Sequence, residues 1–178
     1  MELMRDAFQH ADIFVSNLAP GAVSRMGLDR ARLSENNPGL IACSISGYGE
    51  ETESSKKKAY DFLIQAKSGV CSVTETPESL SRVGNATYRP SRLVQLLLIL
   101  RAFIQRGRTA FGVDLKVTIF DVMTNKMSRP LLTHRDMGSA AERSALKHSF
   151  IAPYGAFTCS DGGQVLLSVQ SNREFDAL

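Results

Sequence analysis

The sequence predicts an α/β domain built on an open, mostly parallel sheet that is incomplete at both ends. Three observations predict it. Short apolar runs of strand length alternate with longer segments of helical period, the pattern of strands joined by helical crossovers. The strand-like runs ADIFVSNL and LIACSIS are apolar enough to be buried. The chain opens on what reads as the tail of one helix and stops within the first turns of another.

The elements follow in order. Residues 1–10 read as helix, with Leu3, Met4, Ala7 and Phe8 on one side. ADIFVSNL is a short buried strand, APG a turn and AVSRMG a helix. Asp29 is placed to cap the helix RARLSEN, which Asn37-Pro38 stops. LIACSIS is a second buried strand ended by GYG, and EETESSKKK is a solvated loop. AYDFLIQAKSG is a helix closed by Gly69. NATYRPSRLVQLLLILRAFIQRGRT is a strongly apolar helix with arginines at both ends. Its stripe Leu93, Leu96, Leu97, Leu100, Phe103 and Ile104 is flanked by Val94, Leu98 and Ile99, so burial on nearly all sides is expected. VDLKVTI is a strand and FDVMTNKMSRPLL one helix. Residues 133–148 suit an irregular crossover, and IAPYGAF with CSDGG a loop and a β-turn. GGQVLLSVQ is a strand, and SNREFDAL begins a helix capped by Ser171 or Asn172 with Glu174 in its first turn.

Composition narrows the function classes. The 178 residues make one ordinary domain, and a net charge of +3 is too mild for a dedicated nucleic-acid binder. From 79 to 113 there are six Arg and no acid, yet the helix inside that window is too apolar for a nucleic-acid face. Its apolar run, 93–104, is twelve residues long and interrupted by Gln95 and Arg101, where a membrane span needs about twenty. Cys43, Cys71 and Cys159 lack a CxxC, and His10, His134 and His148 are scattered, so neither a disulfide framework nor a metal site is expected. A reduced compartment, the cytoplasm, is the expectation, and the start of the chain lacks the apolar core of a signal peptide.

Two turns carry ligand-binding potential. SNLAPGAVSRMGL follows a strand and opens a helix; its backbone N–H groups and Arg25 suit a phosphate, although a plain turn explains the same residues. CSISGYGE puts Ser46, Gly47 and Tyr48 just past a strand's carboxyl end, where open α/β sheets collect ligands; a tight turn is again the simpler alternative. Lys56, Lys57 and Lys58 form either a solvated loop or a cationic rim for an anion. Asp121 is most simply a macrodipole partner at a helix start. There is no GxSxG, Walker A, HExxH or GxGxxG.

Taken together, five segments resemble the family III CoA-transferases, the group of formyl-CoA transferase, carnitine CoA-transferase and 2-methylacyl-CoA racemase. They are ADIFVSNLAPGAVSRMGLD, NPGLIACSISGYGE, AYDFLIQAKSGVCSVT, LILRAFIQRGRTAFGVDLKVTIFD and HSFIAPYGAFTCSDGGQVLLSVQSNREF, in the family's order. NLAPG, KKKAYD and AERSALKHSFIAPYG look nearest to the transferases of dicarboxylic acyl-CoAs. The resemblance implies part of a Rossmann-like domain, with 1–132 as the central part of the large domain and 133–178 as a crossover and the start of the next segment. It implies that the family's N-terminal CoA-receiving part lies outside this chain. It also implies an acyl-CoA and a small carboxylic acid as partners, coenzyme A as substrate rather than cofactor, and a homodimer in the full-length family. A mitochondrial location is implied if the full-length chain is eukaryotic.

Site residues carry over by position. Asn17, Arg25 and Met26 match residues near CoA, and Ser46, Gly47 and Tyr48 match residues lining the thioester pocket. The racemases place a His before the Asp of the following helix; here Tyr60 precedes Asp61, which favours transferase over racemase. Family transferases use an Asp at the start of the apolar helix as the nucleophile. That position falls at Tyr88, fourteen residues before Ala102, or at Arg89 when counted forward from Arg82-Val83-Gly84. Arg is protonated at any usable pH and Tyr is mostly neutral at pH 7. The resemblance therefore implies CoA transfer as the family's activity, with this chain inactive in it; the alternative is a truncated or degenerate non-catalytic homologue retaining partial acyl-CoA binding.

Overall fold

In the computed structural model, the described residues are 2–74, 83–84, 86–139, 143, 146–148 and 150–178. The chain begins with helix α1 (Glu2–His10), strand β1 (Ile13–Ser16) and short helices α2 (Ala22–Arg25) and α3 (Arg30–Leu33). Strand β2 (Ile41–Ser46) leads through a turn-rich loop to α4 (Asp61–Lys67) and α5 (Val70–Val73). The long helix α6 (Tyr88–Thr109) returns to β3 (Asp114–Thr118). Helices α7 (Ile119–Lys126) and α8 (Ser128–Met137), strands β4 (Tyr154–Thr158) and β5 (Gln164–Ser168), and α9 (Asn172–Phe175) follow.

β1, β2 and β3 form one parallel sheet in that order, with Val15 beside Cys43 and Cys43 beside Leu115. The expected parallel α/β arrangement holds there. β4 and β5 depart from it. IAPYGAF was expected as loop, but its second half is strand β4, paired antiparallel with β5 across the Cys159–Gly163 turn. Tyr154, Ala156 and Phe157 are compatible with a strand whose partner is only six residues away, and local hairpin pairing outweighs the turn signal of Pro153-Tyr154-Gly155.

Among the described residues three small cores hold the sheet in place. Leu28, Leu33 and Leu40 pack with Phe8 and Phe14 beneath α2 and α3. Cys43, Ile99 and Val117 join α6 to β2 and β3, helped by Ile45, Val94 and Leu98. Tyr48, Ile64, Val70, Ile119, Met123 and Met127 gather α4, α5 and α7 beyond the carboxyl ends of the strands.

Several expectations are corrected. β1 is covered on one face only: Phe14 packs on the Leu28 core and Ser16 is buried, but Ile13 and Val15 are exposed, because among the described residues β1 pairs on one side only and α6 packs on β2 and β3. α3 is one turn, capped by Asp29 through Arg32 N–H at 3.2 Å, and the chain continues as turns toward Asn37. FDVMTNKMSRPLL is two helices broken at Met127, and residues 133–137 of the expected crossover are helical. The cap at the last helix is Ser171, in a full capping box with Glu174.

The largest correction concerns α6. Its inner face packs on the sheet through Val94, Leu98 and Ile99, with Ser91 and Ala102 also buried, but the stripe Leu93, Leu96, Leu97, Leu100, Phe103 and Ile104 points outward and is 40–66% exposed. The expectation of burial on all sides assumed layers on both sides of the helix, whereas the described residues supply one.

The amino edge of the sheet is pinned by cations. Arg106 pairs with Asp12 at 2.8 Å and donates to the Gly39 carbonyl at 3.1 Å, while Arg30 donates to the Gly112 carbonyl at 2.8 Å. Gly112 is enforced by space, since a Cβ there would lie 1.9 Å from the Leu40 carbonyl oxygen. Ala110 closes α6 with φ 63°, in the left-handed region that favours glycine. Urea unfolding followed by circular dichroism should therefore show Gly112→Ala losing about 2–3 kcal/mol, an overpacking cost. Ala110→Gly should instead gain roughly 0.5–1 kcal/mol. Equal, near-zero effects would mean that this edge is not packed as described.

Candidate functional site at the carboxyl edge of the sheet

Parallel strands place their carboxyl ends on one edge, and three segments converge there. The first is the end of β2. Ser46 Oγ accepts from Gly49 N–H at 3.1 Å, closing the turn, and Gly47 accepts from Phe120 N–H at 3.0 Å, which ties the turn to α7. A Cβ on Gly47 would lie 1.9 Å from Ala59 Cβ, so the glycine lets the start of α4 lie directly on the end of β2. Tyr48 is buried, 5.7 Å from the Phe120 ring, with the Lys67 ammonium 4.6 Å above its own ring.

The second segment is the start of α4. Asp61 lies in its first turn and is 9% exposed. A carboxylate at this depth is tolerable only when its oxygens are hydrogen-bonded. They are: Gln65 Nε2 donates at 2.7 Å, and the backbone N–H and hydroxyl of Thr87 both donate to the other oxygen. Gln65, fully buried, also grips Val83 in both directions, donating to its carbonyl at 2.8 Å and accepting from its N–H at 2.9 Å.

The third segment is the start of α6. Thr87 is its N-cap residue but does not cap through its own side chain; the acceptor for its N–H is Asp61, from another helix. Ser91 Oγ donates to the Thr87 carbonyl at 2.7 Å. Thr87 and Ser91 are buried, while Tyr88 and Arg89 between them face outward. The two residues at the expected nucleophile position are thus held at the surface of the edge by buried neighbours.

The remaining sequence-expected residues lie nearby or apart. Asn17 directly follows β1, on the same edge as Ser46, and is exposed. Arg25 and Met26 end α2; the Arg25 guanidinium folds over its own turn, 3.0 Å from where a Cβ on Gly21 would sit. Lys56, Lys57 and Lys58 are exposed, and Lys67 reaches the β2 end, over the Tyr48 ring and 3.4 Å from Ser54 Oγ. Sequence reading did not find Gln65, Thr87, Ser91 or Lys67. The available signal was Asp61 and Gln65, two polar groups one helical turn apart among Phe62, Leu63 and Ile64.

Among the described residues no three His, Cys, Asp or Glu cluster to hold a metal, and no helix is long and apolar enough to cross a membrane. Neither buried thiol is a ready nucleophile. Burial pushes the Cys43 thiol up against a weak hydrogen bond from Gln95 at 3.5 Å, and burial likewise raises Cys71.

A model of the family described as "CoA-transferase family III" matches residues 1–178. This chain belongs to that family. It is 30% identical over 154 residues to the acetyl-CoA:oxalate CoA-transferase of Acetobacter aceti, covering 85% of this chain and 40% of that one. It is 29% identical over 178 residues to the human succinyl-CoA:glutarate CoA-transferase, covering 98% of this chain and 40% of the relative. The crystal structure of a CAIB/BAIF family protein from Brucella suis superposes with a TM-score of 0.88 at 29% identity, over 99% of this chain and 47% of that one. The chain thus spans less than half the length of the relatives it matches. The family resemblance and the α/β fold expected from the sequence are both supported.

Two measurements follow. Asp61→Ala should cost about 2 kcal/mol, because it strands the buried donors of Thr87 and Gln65. It should also speed amide exchange in the first turn of α6 while leaving the turns near Arg106 protected; uniform exchange along the helix would contradict the Asp61 anchor. A disulfide-exchange reagent should modify Cys159 rapidly and Cys43 and Cys71 only on unfolding.

Proposed function

We propose that this chain is the acyl-CoA-presenting segment of a CoA-transferase that moves CoA between an acyl-CoA and a small carboxylic acid, and that it does not itself supply the acylated carboxylate. Family membership supports the first half. The relatives named for oxalate and glutarate support small carboxylic acids as the acceptor class. Asn17, Arg25, Met26, Ser46, Gly47 and Tyr48 are the residues proposed to approach CoA and its thioester. The full-length protein is proposed to act as a homodimer, with coenzyme A as substrate only.

One observation carries the second half: the first turn of α6 offers Thr87, Tyr88 and Arg89, and the nearby acid, Asp61, already accepts from Thr87 and Gln65. In the transfer reaction a carboxylate oxygen attacks the thioester carbonyl, the C–S bond breaks, and the thiolate leaves. The acceptor's carboxylate then attacks the enzyme's carbonyl of this mixed anhydride and expels the donor acid, and the returning thiolate attacks the acceptor's acyl carbon, forming the new thioester and freeing the enzyme carboxylate. Arg89 has no lone pair to offer, and acylated Tyr88 would be an ester, a poorer donor than an anhydride. Asp61 would have to give up its buried donors to attack, at a cost of several kcal/mol.

Intact-mass measurement after incubation with succinyl-CoA tests this reading. The unaltered chain should remain unmodified. Arg89→Asp, or Tyr88→Asp if the register is one residue earlier, should gain a succinyl increment that hydroxylamine removes. An adduct on the unaltered chain would overturn the proposal, and mapping it to Asp61 or Tyr88 would show which residue acts.

A further inference from the structure

A half-open cleft of about 460 Å³ lies between α5, the α7–α8 break and the first turn of α6. Its walls are apolar: Val70 and Val73 from α5, and Met123 and Met127 from the other side. Its polar contribution is cationic, with Arg89 from α6 and Lys126 from α7 both lining it. Among the described residues no Asp or Glu lines the cleft, and neither cation is ion-paired. The volume lies in the range of small-molecule pockets, where apolar walls and a few placed polar groups fix a ligand's orientation.

We propose that this cleft binds an apolar-tailed monocarboxylate, with the hydrocarbon against Val70, Val73, Met123 and Met127 and the carboxylate between Arg89 and Lys126. Charge complementarity selects the headgroup. Two cations without acid partners among the described residues favour an anion, and the planar guanidinium of Arg89 matches the two oxygens of a carboxylate. The walls select the tail. A short dicarboxylate of the oxalate or glutarate kind would bring its second charge against valine and methionine side chains, an uncompensated desolvation. The cleft adjoins the helix start on which the proposed function turns, yet binding there requires no thioester chemistry and survives the failure of that reading.

The test uses the unaltered chain with methionine methyls labelled with 13C and titrated with octanoate. The Met123 and Met127 methyl signals should shift saturably, while Met26 and Met137, outside the cleft, should not. Glutarate, octanol and octylammonium should each bind at least about tenfold more weakly, as expected for loss of a charge-assisted contact or burial of an extra charge. Arg89→Gln and Lys126→Gln, both at exposed positions, should each weaken octanoate by roughly tenfold without lowering the thermal midpoint. Val73→Phe should abolish the Met123 shift by filling the cleft. Absence of saturable shifts at millimolar octanoate would overturn the proposal. So would equal binding of octanol, or binding indifferent to Arg89 and Lys126, which would place the ligand on the exposed leucines of α6 instead.

Discussion

The arrangement of the carboxyl edge depends on one buried carboxylate. Asp61 sits in the first turn of α4 and receives both donors of Thr87 at the start of α6. Two helix starts therefore share one negative charge, and each brings the positive end of its macrodipole to it. Gln65, one turn later, adds a third donor and grips Val83 just upstream of α6. The close approach of Gly47 to Ala59 transmits this to the sheet, because the residue pair before Asp61 lies on the end of β2. The position of Tyr88 and Arg89 relative to Ser46 is set by this chain of contacts. None of its links needs either exposed side chain.

α6 illustrates how one helix serves two environments. Its inner face alternates small and branched residues, with Ser91 and Ala102 admitting close approach and Ile99 and Leu98 filling the space above Cys43 and Val117. Its outer face is as apolar as its inner one, yet the described residues leave it in water. Six exposed large side chains on one stripe exceed the scattered exposure ordinary for a globular surface. Arg106 marks the other end of the helix. Its guanidinium stacks on Phe103 at 4.1 Å while it pairs with Asp12, so the helix is fastened at both ends by groups of opposite sign.

The elements legible in the sequence were those with local signals. Asp29 before a helical run, Gly69 after one, and Ser171 three residues before Glu174 mark helix ends by backbone chemistry that needs no tertiary context, and each holds. The parallel sheet was legible because LIACSIS and VDLKVTI are too apolar for exposed loop and are separated by a helix-length segment. Features set by distant partners were not legible. Whether Val15 or Leu97 is covered depends on which layers exist, and whether IAPYGAF is strand depends on a partner across the turn. The buried polar knot was half legible. Asp61 and Gln65 announce themselves as polar residues on an apolar helix, but Thr87 and Ser91 look like ordinary hydroxyls at a helix start until Asp61 is seen to lie against them.

The same knot bears on the proposed loss of the nucleophile, because it holds the shape of this edge without help from the exposed side chains. A nucleophilic Asp in the first turn of a helix enjoys the macrodipole but requires no buried contact of its own. At the expected position, Tyr88 or Arg89 breaks no packing, because Thr87 and Ser91 carry the helix start. On the proposed reading, the sign of the field at this position is reversed. Asp61 already accepts from Thr87 and Gln65, and Arg89 and Lys126 line one cleft, so the two proposals agree: the outward side of this helix start would hold a carboxylate rather than become an acylated one. The shape of this edge thus rests on buried polar groups that satisfy one another, while the residues on which the proposed function turns, Tyr88 and Arg89, are exposed and take no part in holding it.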